Sequence, residues 1–179
     1  MYTVTTGIHI HFAHHVRGHL GPCISLHGHT WLFEVCLEAK TLDNQGFVAD
    51  FDQLHAEVLE PCHRLLDHSL ALGSESYAET KPHLVALGVP LVASREKLHG
   101  HLGKPQACLT GELCGARNEH PGGIKLSVFP FTPTSERIAQ WLCDVATEVM
   151  ADERVRVRST RVYETLHPTL AYADYFPAQ

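Results

Sequence analysis

His27-Gly28-His29-Thr30-Trp31-Leu32-Phe33-Glu34-Val35-Cys36-Leu37-Glu38-Ala39 places an apolar side chain at every second position from Trp31 to Ala39. That period of two marks a half-buried strand, expected over Thr30–Ala39. At its entrance stand His27 and His29, and residues i and i+2 of a strand project from the same face. Two imidazoles so spaced can grip one metal ion without bending the backbone. Cys23 lies four residues upstream of His27, near enough to work beside such a metal rather than on it. A catalytic metal centre typically has three protein ligands and an open fourth position.

Outward from this strand, Tyr2, Val4, Ile8, Ile10 and Phe12 alternate with Thr3, Thr5, Gly7, His9 and His11, which predicts a preceding strand. Leu42–Gly46 reads as a turn. Asp50–Glu60 reads as a helix with Phe51, Leu54 and Val58 on one face, and Pro61 should end it, with room for a further turn through Leu66. A second helix should follow Thr132 or Thr134, with Pro133 in its first turn and Glu136 favouring its positive end. Ile138, Trp141, Leu142, Val145 and Val149 continue at helical spacing to Met150. Arg154–Thr165 and Leu170–Phe176 read as closing strands. Strand, strand, helix, helix, strand, strand predicts an α+β domain over 1–179, a four-stranded antiparallel sheet with two helices on one face.

The pattern dissolves between Leu70 and Phe131, with short helices expected only around Lys81–Leu87 and Ser94–Leu98. We read about 72–125 as a loop-rich insertion between the two helices. A stretch this long without periodicity is usually a functional lid or an insertion, and both its ends attach to segments bearing candidate site residues. His99, His101, Cys108, Cys114 and His120 raise a second metal site, although their irregular spacing matches no standard zinc module.

Composition narrows the function classes. The 179 residues are 44% hydrophobic and 19% charged, ordinary for a globular protein. With no long apolar run and no signal-peptide pattern, a soluble cytoplasmic protein with no membrane association is expected. Six cysteines do not make a dense disulfide framework, so free thiols are expected. A net charge of −6 argues against nucleic acid as a partner. The anomaly is histidine, 15 residues in all, the commonest metal ligand and the side chain that titrates near neutrality.

Six short motifs occur in one order: Phe12-Ala13-His14-His15, Cys23-x-x-x-His27-Gly28-His29, Asp50-Phe51, Leu66-Asp67-His68, Pro133-Thr134-Ser135-Glu136 and Tyr163-Glu164-Thr165. In this the chain resembles the 6-pyruvoyltetrahydropterin synthase / 6-carboxytetrahydropterin synthase family, over roughly 2–70 and 130–176. The spacing of Cys23 looks like the bacterial 6-carboxytetrahydropterin synthase branch. The resemblance implies the tunnelling fold, a homohexamer of two stacked trimers, and a small-molecule pterin substrate. Such proteins usually cross from the Asp-His pair to the Pro-Thr motif in about a dozen residues, whereas 64 residues separate His68 from Pro133 here (133 − 68 − 1).

By resemblance, zinc is held by His15, His27 and His29. His14 competes with His15 for the third position, and His15 is preferred because it ends the Ala-x-His pattern. Cys23, flanked by Gly21 and Pro22 in a loop, would abstract a proton as a thiolate. Asp67 and His68 would relay protons, Asp67 orienting the imidazole. Glu164 would anchor the pterin, because one carboxylate can accept from an amide N–H and the exocyclic amine beside it. Thr134 and Ser135 would add polar contacts to the ring. Arg17, His19 and Lys40 are triphosphate candidates by residue type only and are not assigned.

The activity implied is zinc-dependent conversion of 7,8-dihydroneopterin triphosphate to 6-carboxy-5,6,7,8-tetrahydropterin, a lyase step in queuosine precursor synthesis. Another dihydropterin lyase is the nearest alternative. A zinc hydrolase would need a carboxylate base near the metal, and none is evident beside His-Gly-His. A histidine-rich metal-buffering protein would leave Cys23, Asp67-His68 and Glu164 unexplained together.

Overall fold

The computed structural model describes residues 1–87 and 124–178. The chain divides into two compact units, one of Met1–Ile10, Thr30–His63 and Ser135–Gln179, the other of His11–His29 and Arg64–Thr134. Two long strands, β1 (Tyr2–His14) and β2 (His27–Ala39), contribute to both.

In the first unit the strand order is β1-β2-β5-β6, with β5 at Val155–Thr165 and β6 at Ala171–Tyr175. β2 runs antiparallel to β5, pairing Phe33 with Val162 and Val35 with Thr160, and β5 runs antiparallel to β6. The alternation expected of β2 is borne out: Trp31, Phe33, Val35 and Leu37 are fully buried. Gly7 is demanded by close approach, since a Cβ there would lie 2.5 Å from the Phe33 carbonyl oxygen.

Helix α4 (Ser135–Met150) lays Ile138, Trp141, Leu142, Val145 and Ala146 against this sheet. Burial of each large apolar side chain is worth about 1.5–3 kcal/mol. The Thr160 hydroxyl donates to the Ala139 carbonyl at 2.6 Å, so α4 is fixed to β5 by a buried polar bond as well.

The earlier helical segment differs from expectation at Pro61. It runs as α1 (Phe51–Leu54), a π turn (His55–Leu59) and α2 (Glu60–Leu66) without stopping. The Glu60 amide reaches back five residues to the His55 carbonyl. That wider turn relieves the clash a proline ring makes with the turn before it, so Pro61 redirects the helix rather than ending it. Phe51 is half exposed; only Leu54 and Val58 of its expected face are buried.

In the second unit the order is β4-β3-β1-β2, with β3 at Leu70–Gly73 and β4 at Leu126–Phe129. Here two short strands join that the expected four-stranded antiparallel sheet did not include, and β3 runs parallel to both β1 and β4. All eight residues of the two strands are buried. Strands covered on both faces have no polar-apolar alternation to read. The helix expected near Lys81–Leu87 is longer, α3 at Ser74–Ala86, and contains Pro82. The described start of the expected insertion is therefore regular structure. Its remaining candidates, Ser94–Leu98 and the His99, His101, Cys108, Cys114 and His120 group, lie outside the described residues. Among the described residues no helix is long and apolar enough to cross a membrane.

Candidate metal centre

Alternation along β1 decides which histidine turns inward. Ile10, Phe12 and His14 share the buried face, with exposures of 0%, 4% and 0%. Across from it the first turn of β2 presents His27 and His29. The His14 ring lies 4.7 Å from that of His27 and 5.4 Å from that of His29, and the last two are 4.9 Å apart, centroid to centroid. One ring nitrogen of each lies within 4.8 Å of those of the other two.

The third ring of this group is His14, not the expected His15. The strand ends at His14, which continues the inward parity of Ile10 and Phe12. His15 follows the end of β1. Burial, reinforced by nearby His14, holds its imidazole below the ordinary value, against the pull of Glu79.

Two carbonyls set the tautomers. A carbonyl can only accept, so Nδ1–H of His14 donates to the Pro133 oxygen at 2.8 Å, and Nδ1–H of His27 to the Ser25 oxygen at 2.8 Å. Each Nε2 then keeps its lone pair, the arrangement that metal-ligating histidines adopt. The Nε2 atoms of His14, His27 and His29 are all buried. Three imidazoles converging in this way fit a metal ion such as zinc.

Cys23 sits in a short 3-10 turn, Pro22–Ile24, half-buried rather than in an apolar interior. Its carbonyl accepts from the Val16 amide at 2.8 Å. Cys62, by contrast, is fully buried, and burial pushes its thiol up to about 12. Among the described residues Cys23, Cys36, Cys62 and Cys143 are free thiols.

Asp67 and His68 form a built pair. Nδ1 of His68 contacts Asp67 Oδ2 at 2.6 Å, while Asp67 Oδ1 accepts from the His11 amide at 3.0 Å. The His68 amide donates to the His11 carbonyl at 2.7 Å, and His68 takes a left-handed backbone with φ 57°. Such a conformation is uncommon outside glycine and marks a residue held by its surroundings. The side chain of His68 is 82% exposed, its imidazole turned by Asp67 toward solvent.

The remaining expected residues are placed locally. Glu164 is half-buried on β5 where the pairing with β6 shifts register, between Tyr163 and Thr165. A bulge of this kind re-aims a side chain. Thr134, whose amide donates to the Thr132 carbonyl at 2.8 Å, follows the proline that holds His14. Ser135 begins α4, its hydroxyl 3.5 Å from Glu136.

Sequence reasoning missed two parts. Pro133 was legible only as a helix starter, and no side-chain signal reveals a carbonyl's role. Arg17 bonds Glu75 at 2.9 Å and Glu79 at 2.7 Å, both on α3. The four-residue spacing of those acids was a readable helical signal.

The curled α+β sheet and its helices make this a tunnelling-fold protein. The model of the 6-pyruvoyl tetrahydropterin synthase family matches residues 3–174, and the chain belongs to that family. It is 33% identical over 72 residues to a 6-carboxy-5,6,7,8-tetrahydropterin synthase of Rickettsia bellii, covering 40% of this chain and 52% of the relative. The enzyme of the same name from Rickettsia felis is 32% identical over 72 residues with the same coverage. The chain thus spans about half the length of the curated relatives it matches. Among solved structures, an uncharacterized protein from Wolinella succinogenes superposes with TM-score 0.70 at 22% identity, covering 99% of this chain and 98% of that one. The 6-pyruvoyl tetrahydropterin synthase of Caenorhabditis elegans gives 0.55 at 15%, covering 99% and 96%. At such identities the likeness is one of fold.

Proposed function

We propose that this chain is a zinc-dependent lyase that turns 7,8-dihydroneopterin triphosphate and one water molecule into 6-carboxy-5,6,7,8-tetrahydropterin, acetaldehyde and triphosphate. The observation that carries the reading is the convergence of His14, His27 and His29. The name shared by the two Rickettsia relatives supports the product, and the substrate is the one the family resemblance implies.

In this reading His14, His27 and His29 hold the zinc ion, and His15 does not. When bound, zinc supplies Lewis acidity toward oxygen atoms of the substrate side chain. The protein's own groups do the rest. Cys23, as thiolate, takes a proton from the side chain. His68, its ring fixed by Asp67, returns a proton at a different carbon. Glu164 accepts from the pterin N–H and amine, Thr134 and Ser135 contact the ring, and this anchoring sets the distance between side chain and bases. A cytoplasmic homohexamer of two stacked trimers, a single domain over 1–179 and a place in queuosine precursor synthesis belong to the same proposal.

The family's own name favours a second reading, 6-pyruvoyltetrahydropterin synthase. Incubating the purified protein with dihydroneopterin triphosphate and weighing the products separates the two. The carboxy product with acetaldehyde supports the first reading, the pyruvoyl product the second. Untouched substrate in zinc-loaded protein would sink both.

A further inference from the structure

Between β1 and β2 runs the loop 15–26, which carries Cys23. Its internal bonds are short-range: the Val16 amide to the Cys23 carbonyl at 2.8 Å, the His19 amide to the Val16 carbonyl at 3.1 Å, and the Gly21 amide to His19 Nδ1 at 3.0 Å. Arg17, next to Val16, reaches out of the loop to α3. Its guanidinium meets Glu75 through one nitrogen and Glu79 through the other two. A planar fork held by two carboxylates has its direction fixed as well as its position. Glu79 also lies close enough to His15 for each to feel the other's charge.

We propose that Arg17, clamped by Glu75 and Glu79, is a positioning group for the Cys23 thiol. The path is short: α3 holds Arg17, the peptide from Arg17 leads to Val16, and the Val16 amide holds the Cys23 backbone. The clamp gives the chain segment beyond Asp67-His68 a task at the thiol, and it assigns Arg17 to protein acids rather than to substrate phosphate. The inference rests on the reading of Cys23 as the proton-abstracting group. All three side chains are largely exposed, at 44%, 75% and 62%. Exposed ion pairs add little to global stability, so their loss should move Cys23 and leave the melting temperature nearly unchanged.

The test is the rate at which iodoacetamide alkylates Cys23, resolved from the other thiols by peptide mass, alongside kcat and KM. Arg17→Gln and the double variant Glu75→Gln/Glu79→Gln should each speed Cys23 alkylation by roughly two- to fivefold and lower kcat with little change in KM. Exchanging the charges, Arg17→Glu with Glu75→Arg and Glu79→Arg, should return both quantities toward wild type. Because the clamp is screened by salt, raising ionic strength should speed alkylation in the wild type and not in Arg17→Gln. An alkylation rate unmoved by Arg17→Gln, or a salt response equal in both proteins, overturns the clamp. Full turnover in Cys23→Ala would instead remove the catalytic reading, and the alkylation rates tell the two failures apart.

Discussion

The Pro133 carbonyl accepts the Nδ1–H of His14 at 2.8 Å, across 119 positions of sequence. This bond links the end of β1 to the segment entering α4 and fixes which nitrogen of His14 carries the lone pair. The choice between two adjacent histidines thus becomes testable. His14→Asn should lower the zinc content of the purified protein by at least about tenfold, while His15→Asn should leave it close to wild type. Metal analysis of the two variants decides, and equal loss in both would contradict the assignment.

The segment that carries Pro133 is itself held in place by Gly73. A Cβ there would lie 2.9 Å from the Phe131 carbonyl oxygen and 3.2 Å from the Thr132 nitrogen. Both neighbours are backbone, which cannot swing aside as a side chain can. Gly73→Ala should therefore cost about 1–3 kcal/mol and loosen zinc with it. Urea unfolding measures the first and chelator competition the second; wild-type values for both would refute this.

Asp67 and His68 offer a separation of stability from catalysis. His68 occupies the left-handed region, so His68→Gly should be more stable than His68→Ala by about 1 kcal/mol. Both should lose turnover alike, by roughly 100-fold or more. Asp67→Asn should lose activity too, because its amide no longer matches both the His11 amide and the His68 ring. Denaturant midpoints and turnover numbers for the three variants would show whether the two effects part.

Much of this was legible because the informative elements are long. β2 spells out its buried face through five alternating apolar positions, and α4 through nearly four turns of helical spacing. β3 and β4 were not legible: four buried residues apiece, such as Leu70-Ala71-Leu72-Gly73, carry no period. α3 was half-read, since it has little apolar face and contains Pro82. The metal trio was two-thirds legible. His27 and His29 declare themselves by spacing, whereas His14 and His15 differ only in strand parity, which needs the last residue of β1. The Asp67-His68 pair was visible as a dipeptide, but its anchorage to the His11 backbone was not.

Cys23→Ala should keep zinc at the wild-type level while turnover falls by roughly 100-fold or more, because Cys23 is not in the group that converges with the three imidazoles. Parallel metal analysis and kinetics test this. A loss of zinc equal to the loss of turnover would make Cys23 a ligand instead.

Acid stability should report on the turn that starts β5. The carboxylate of Asp152 accepts from the Val155 and Arg154 amides, which hold it below its ordinary value of 3.8. A carboxyl lowered by folding stabilises the folded state fully above the unfolded value and loses that contribution as the pH falls through the folded one. Asp152→Asn should thus flatten the decline in stability below about pH 4 and differ little in slope near neutrality. Parallel acid slopes for variant and wild type would exclude the effect.

The most direct measurement strips the wild-type protein with a chelator, follows turnover of dihydroneopterin triphosphate, and then adds zinc back in measured steps. The account predicts that turnover vanishes with the metal and returns in full at one zinc per chain. Turnover that survives complete removal of zinc, with the fold intact, would contradict a centre built on His14, His27 and His29.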